Sequence, residues 1–443
     1  MLSLKSCPRS GPDGQCDLHN NLTQAGLAFT LASAATTEVT RVLSHKHRQQ
    51  MIFDKMGQIV TFKASDPIRN SWKSCGHLAQ ISLLTLMISA CSGGGGSDQD
   101  TSLKSSSPVV AITDFLLEYP KRASVAAASQ GSTHEIIFDP ATPTALWVTA
   151  PSYDSIARIA LDGTRTYFDL PAGTAPHGQE FDRQGNLILS LEGTEQIGKF
   201  DPKLGKIVAT WDIGTDPHGL ALGPDGVTIW YTGKLKNTVG KIAPDGKVTN
   251  YALPTAAALP IYVRPGPDGN MWVTELTGNK IARVTPAGQI TEFTIPTANS
   301  RPIAIVPDPA GRGMWFSEEA GNNVGFITSA GQITEFAVPK PQANMILAGL
   351  SFDRDGNLWV QQYLNLNSPT PDGDDAVIRI DKSILGKTPA QMTTSDFTRY
   401  PTPTKSSVLH RIILGPDGNM WFTALKVDKV GRVTITKAAA GGG

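Results

Sequence analysis

Four of the eight histidines, His134, His177, His218 and His410, fall at one equivalent place in a repeated segment. Imidazole titrates near neutrality, so such a set can move protons or, when neutral, ligate a metal. In the other copies this place carries Ile261, Ile303 and Ala348, and there the following strand ends in Glu275, Glu318 and Gln362. If both ends return to one rim, an imidazole arc faces a carboxylate arc, and carboxylates suit a hard cation such as Mg²⁺ or Ca²⁺. Two readings stay open for the histidines: a hydrogen bond inherited from an ancestral repeat, or a polar ligand site at the mouth of a central channel.

The elements that must position them follow from the repeat. Segments begin near residues 134, 177, 218, 261, 303, 348 and 410, each running toward a turn of the Asp-Gly type. Most spacings fall near the length of one four-stranded propeller blade. Period-two alternation with frequent Asp-Gly and Pro argues against helical repeats. A second strand carries Trp147, Trp230, Trp272, Trp315, Trp359 or Trp421, with Ile188 in the second copy. The tryptophans read as packing wedges between blades. A third strand of the "VGKI" or "IARV" kind and a fourth of the "ITEFTIP" kind complete the unit. The last copy lacks its fourth strand, and residues 111–118, "AITDFLLE", supply one with no blade of their own. The expectation is an all-β, seven-bladed β-propeller of four-stranded blades over residues 109–437, closed by the N-terminal strand pairing with the last blade. Insertions around residues 364–377 and 382–396 of the sixth blade are candidates to overhang a binding face.

Lys plus Arg and Asp plus Glu each number 39, so no positive field gathers nucleic acid. The four cysteines, Cys7, Cys16, Cys75 and Cys91, all precede the repeats and cannot staple them. Residues 78–91, "LAQISLLTLMISAC", follow Arg69 and Lys73 and have the shape of a secretory apolar core, too short for a stable span. Ile88-Ser89-Ala90-Cys91 resembles a bacterial lipobox, which implies lipidation of Cys91; a plain signal peptide ending in a chance cysteine is the alternative. This divides the chain into a leader without clear periodicity (1–55), a lipoprotein signal (56–90), a Gly/Ser tether (91–108), the propeller and a tail (438–443). The protein is expected outside the cytoplasm as a monomer, reaching an outer membrane or cell surface only through its lipid. Its partner is expected to be a small molecule or peptide at the channel mouth.

The blade sequence "GPDGNMWVTELTGNKIARVTPAGQITEFTIPT" and the "PHG" at 176–178 and 217–219 resemble the virginiamycin B lyase, or streptogramin lyase, family. That resemblance implies a seven-bladed propeller that linearises a cyclic depsipeptide by elimination across its ester, with Mg²⁺ as cofactor. It also implies a Glu-x-His pattern, matched here by Asp216-Pro217-His218 with His177 one blade back. His218 would be the base, with Asp216 as a metal ligand. His177, His134, His410, Glu318 and Gln362 would line the substrate site. The family's second glutamate falls at Gly233, which leaves Glu275 on the next blade as the nearest carboxylate for the metal. A lyase, a non-catalytic ligand- or protein-binding propeller and a metal-dependent lactonase all remain compatible with the residues. No P-loop, dinucleotide fingerprint, nucleophile elbow or HExxH occurs.

Overall fold

The Asp-Gly hairpins and the tryptophans explain each other. In the hairpin of the fourth blade Gly269 takes φ of 75°, a conformation glycine adopts without steric cost. Beside it, Asp268 accepts a hydrogen bond from the Trp272 indole at 3.0 Å. Trp315 donates likewise to Asp308, Trp359 to Asp353 and Trp421 to Asp417. Indoles also lie on an aromatic ring of the fourth strand. Trp147 stacks on Phe168, Trp272 on Phe293 and Trp359 on Tyr400, with interplanar angles of 19°, 21° and 21°. Packing of this kind replaces disulfides as the source of rigidity.

The computed structural model describes residues 109–120, 131–140, 143–365 and 374–436. The leader, the signal segment, the tether with Cys91 and the tail lie outside the described residues. Seven antiparallel sheets of four strands form the blades of a β-propeller. Their first strands are Ile136–Phe138, Pro176–Phe181, Pro217–Leu222, Pro260–Pro265, Pro302–Pro307, Met345–Phe352 and Leu409–Leu414, for blades 1 to 7. Neighbouring blades touch through these strands, which therefore line the axis. Val109–Leu116 pairs antiparallel with Lys429–Thr436, and its Phe115 stacks 5.6 Å from Trp421. Asp428 of blade 7 also accepts from the Ser132 and Thr133 amides and from the Tyr153 hydroxyl of blade 1.

Hydroxyls on the second strands join the blades around the inner ring. Thr149 donates to the His177 carbonyl at 2.8 Å, Thr232 to Ile261, Thr274 to Ile303, Ser317 to Ala348 and Thr423 to His134. The backbone at the histidine position is thus bonded to the preceding blade. In blade 6 the short 3₁₀ turns Lys382–Leu385, Pro389–Gln391 and Thr394–Asp396 follow the third strand. The Lys382 amide donates to Asn357 beside the Asp353 hairpin, so this insertion lies on the rim away from the histidines and does not overhang them. Of the other insertion, residues 366–373 lie outside the described residues. Among the described residues no helix is long and apolar enough to cross a membrane.

Candidate functional site

A β-bulge in the first strand aims three of the four histidines, and His134 stands just before the first strand of blade 1. In blade 2 Pro176 pairs with Leu191 and Gln179 with Leu189, so His177 and Gly178 together face Ser190. The same shift separates Pro217 from Leu220 in blade 3 and Leu409 from Ile412 in blade 7. Such an extra residue re-aims a side chain and tightens the local twist. The bulge also explains the recurring "PHG". A Cβ on Gly178 would lie 2.3 Å from the His218 carbonyl oxygen, and one on Gly219 would lie 2.3 Å from that of Ile261. Glycine after the histidine lets adjacent blades close up.

Four imidazoles from blades 7, 1, 2 and 3 consequently converge. The His134 ring centroid lies 3.8 Å from both His177 and His410, and His177 lies 3.7 Å from His218. His134 Nε2 and His177 Nε2 are 3.1 Å apart. At one end of the row, His218 Nδ1 meets Glu192 Oε1 at 2.5 Å. Lys234 Nζ sits 3.1 Å from that oxygen and 3.0 Å from the same Nδ1. A carboxylate can only accept, so Nδ1 carries the proton toward Glu192 and Lys234 donates to Glu192 as well. At the other end Glu135 takes two hydrogen bonds from Arg411 Nε, at 2.7 and 2.9 Å, and one from the Tyr262 hydroxyl at 2.7 Å. The Arg411 guanidinium stacks 3.6 Å over the Tyr262 ring, so blades 1, 4 and 7 meet across the axis. Two groups here could hold a metal ion: His134, Glu135, His177 and His410, and His177, Glu192 and His218.

The profile of the virginiamycin B lyase family matches residues 119–367, more than half of the 443-residue chain. The chain belongs to the virginiamycin B lyase family. Virginiamycin B lyase from Nocardia farcinica (strain IFM 10152) is 29% identical over 128 residues, 28% of this chain. That match spans 44% of the relative, under half of its length. The crystal structure of selenomethionine-substituted virginiamycin B lyase from Staphylococcus aureus superposes with a TM-score of 0.60 at 27% identity, over 74% of this chain and 99% of that one. A streptogramin B lyase structure aligns with a TM-score of 0.61 at 24% identity, over 74% and 98% of the two chains, a likeness of fold.

In this member of the virginiamycin B lyase family, electrostatics separates the two ends of the histidine row. Burial lowers the His218 pKa, Lys234 lowers it further, and Glu192 only partly offsets them, leaving about 4. Burial would raise Glu192, but Lys234 and His218 outweigh it and bring it to about 2. At neutral pH the pair is a neutral imidazole on an ionised carboxylate. Burial and the neighbouring imidazoles hold His134 and His177 well below the usual histidine value. Glu135 is also buried, yet the Arg411 charge keeps its pKa well below the ordinary carboxylate value.

The structure brings His134, His177, His218 and His410 together and leaves four other expected site residues elsewhere. Both oxygens of Asp216 accept from the Leu235 amide at 2.9 Å, so this carboxylate caps the loop after the second strand of blade 3. Glu275 is fully buried, its carboxyl meets that of Glu292, and its other charged neighbour is Lys280, both on the outer half of blade 4. Burial, then the Glu292 charge, push Glu275 up to about 8. Glu318 likewise rises to about 8 through burial, against the Asn323 amide that donates to it. The Gln362 amide donates to the Pro339 carbonyl. No carboxylate arc faces the imidazoles at these positions.

Sequence reasoning missed Glu192, Lys234, Glu135, Arg411 and Tyr262. Glu192 and Lys234 stand one residue beyond Leu191 and Gly233, the strand-end partners of Pro176 and Pro217. Glu275 and Glu318 are themselves strand-end partners, of Pro260 and Pro302. A one-residue step turns a side chain to the other face of a sheet. The signal for Glu135 and Arg411 was available: they stand directly after His134 and His410, where Gly178 and Gly219 follow the other two histidines.

Proposed function

We propose that this protein opens a cyclic ester or depsipeptide by elimination at the channel mouth, with His218 as the base. The observation that carries the reading is the His218 Nδ1 to Glu192 Oε1 contact of 2.5 Å with Lys234 Nζ beside both. Glu192 fixes the ring with Nδ1 protonated and leaves Nε2 to accept a proton. The C–H bond next to a carbonyl breaks toward Nε2, its electron pair forms a carbon–carbon double bond, and the ester oxygen leaves as a carboxylate. Lys234 places a positive charge where negative charge builds on the carbonyl oxygen or leaving group. Neutral His218 is ready to act as a base without first losing a proton.

Mg²⁺, the cation the family resemblance implies, finds a poor match here. It prefers oxygen ligands, whereas Asp216 is engaged by Leu235 and Glu275 lies apart from the histidines. The ammonium of Lys234 also stands against Glu192, the carboxylate that meets His218. We derive no step through Mg²⁺. The dispersal of Asp216 and Glu275 favours a second reading, a propeller that binds a peptide or small ligand without turnover. Attachment outside the cytoplasm through a lipidated Cys91 belongs to the same proposal and is supported by the "ISAC" sequence alone.

Incubation of the full chain with a streptogramin B depsipeptide, followed by mass spectrometry, tests the reading. Elimination gives a linear product of unchanged mass, while hydrolysis adds one water. His218→Ala is expected to abolish ring opening, and Glu192→Gln to slow it by about 10²- to 10⁴-fold. Ring opening at the wild-type rate in folded His218→Ala removes that residue as the base. A folded wild type that binds the depsipeptide and leaves it intact establishes the second reading.

A further inference from the structure

At the other end of the row from Lys234, three imidazoles meet in a way the elimination does not use. We propose that His134, His177 and His410 bind a divalent first-row transition metal ion of the Zn²⁺ type, with Glu135 as the carboxylate behind the imidazoles. This site stands independently of the lyase reading.

His134 Nε2 and His177 Nε2 approach to 3.1 Å. Zinc–nitrogen bonds of about 2.0–2.1 Å place tetrahedral ligands roughly 3.4 Å apart, so little movement is required. His410 packs on the opposite side of His134 at a centroid distance of 3.8 Å. His134 Nδ1, His177 Nδ1 and His410 Nε2 are buried without a hydrogen-bond partner. Two of these, His134 Nδ1 and His410 Nε2, face Glu135, which leaves the other nitrogen of each ring for an ion, and one donor atom each from His134, Glu135, His177 and His410 lies within 4.8 Å of the others.

Glu135 Oε1 lies 3.6 Å from His134 Nδ1 and 3.7 Å from His410 Nε2, close enough to receive their N–H groups once the rings settle on an ion. Its other bonds, to Arg411 and Tyr262, keep it in place as an outer partner that orients ligating imidazoles. Arg411 balances Glu135 and Lys234 balances Glu192, so the paired charges around the imidazoles cancel. Three imidazole nitrogens suit zinc, iron, cobalt or copper, whereas magnesium and calcium seek oxygen. Three histidines also leave a coordination position for a ligand.

The test uses the full chain, stripped with a chelator and titrated with Co²⁺ as a visible probe, then Zn²⁺, with Mg²⁺ for comparison. One Co²⁺ per chain with the absorption of a nitrogen-ligated ion, displaced by Zn²⁺ and held at least about 100-fold more tightly than Mg²⁺, is expected. His134→Gln and His410→Ala should each weaken Co²⁺ by at least about 100-fold, while Glu192→Gln leaves it within about threefold. Wild-type protein loaded with Cu²⁺ should show nitrogen superhyperfine splitting, which requires no variant to fold. An all-oxygen copper signature, equal Mg²⁺ affinity or unaltered binding in folded His134→Gln overturns the site. Metal binding without ring opening removes only the lyase, and ring opening without metal binding removes only this site.

Discussion

Replacing Glu275 with glutamine should stabilise the propeller, increasingly so as pH rises. The carboxyl is fully buried, and burial, then the charge and the side-chain hydrogen bond of Glu292, hold its pKa at about 8 against an ordinary 4.5. Between those values the folded chain keeps a proton that the unfolded chain has released. Raising pH through this window therefore favours unfolding, and the loss is complete above the folded value. A shift of about three and a half units, at 1.36 kcal/mol each, sets an upper limit of roughly 5 kcal/mol for this residue. Relaxation of the surrounding loop reduces the measured figure, so about 2–5 kcal/mol is expected above pH 8.

Glutamine has the shape of the protonated acid and nothing to ionise, so Glu275→Gln and wild type should be nearly equal near pH 4.5. Denaturant unfolding of both proteins from pH 4.5 to 9 provides the measurement. Their stabilities should diverge by up to about 1.4 kcal/mol per pH unit and then run parallel above pH 8. Glu318, with its pKa also at about 8, adds its own slope to both proteins and cancels in the difference. A difference that stays constant with pH, or a glutamine variant less stable at pH 8.5, refutes the reasoning. The same experiment separates a buried neutral acid from a metal ligand, because a ligand would be ionised and its loss would destabilise.

The acid limb of the activity profile should follow His218, with kcat/KM falling as pH drops through about 4. Lys234→Met should move that limb upward, because the lysine charge depresses the imidazole, and an NMR titration of His218 checks the direction. Arg411→Leu should cost about 3–5 kcal/mol in urea unfolding, because it strands Glu135 as a buried charge. Adding Glu135→Gln to that variant should return much of the loss. Asp216→Ala should destabilise by about 1–2 kcal/mol through the Leu235 amide and leave Co²⁺ affinity unchanged in calorimetry.

The fold was legible because its causes are local. A turn aspartate and a tryptophan a few residues later make a bond within one hairpin, as Asp268 and Trp272 do, and the bond recurs in blades 5, 6 and 7. The histidines were legible for a related reason: a shared place in the repeat becomes a shared place on the ring. Their carboxylate partners were not. Glu192 differs from the strand-end position by one residue, and only the register decides which face it takes. Glu135, Tyr262 and Arg411 are 127 and 276 positions apart along their two bonds, and no local pattern records such pairings. Asp216 had the right residue type two positions before a histidine, but the amide of Leu235 claims both of its oxygens.

The ring is chemically lopsided, and that bears on which substrates suit it. Blades 7, 1, 2 and 3 carry histidine at the equivalent inner position, whereas blades 4, 5 and 6 carry Ile261, Ile303 and Ala348, all three buried. On the proposed reading, His218 and Glu192 stand on the polar part of a ring whose remaining blades are apolar, which would suit a ligand with one ester and several apolar side chains. Tyr262, rooted in the apolar half, crosses to Glu135 and Arg411 in the polar half. This bond ties blade 4 to blade 1 across the axis. In such buried surroundings a lysine or imidazole charge acts through a low dielectric and counts for more than it would in water. Tyr262→Phe removes that crossing bond while keeping the ring, so urea unfolding should show a loss of about 1–2 kcal/mol, and unchanged stability would show that the bond does not hold Glu135 in place.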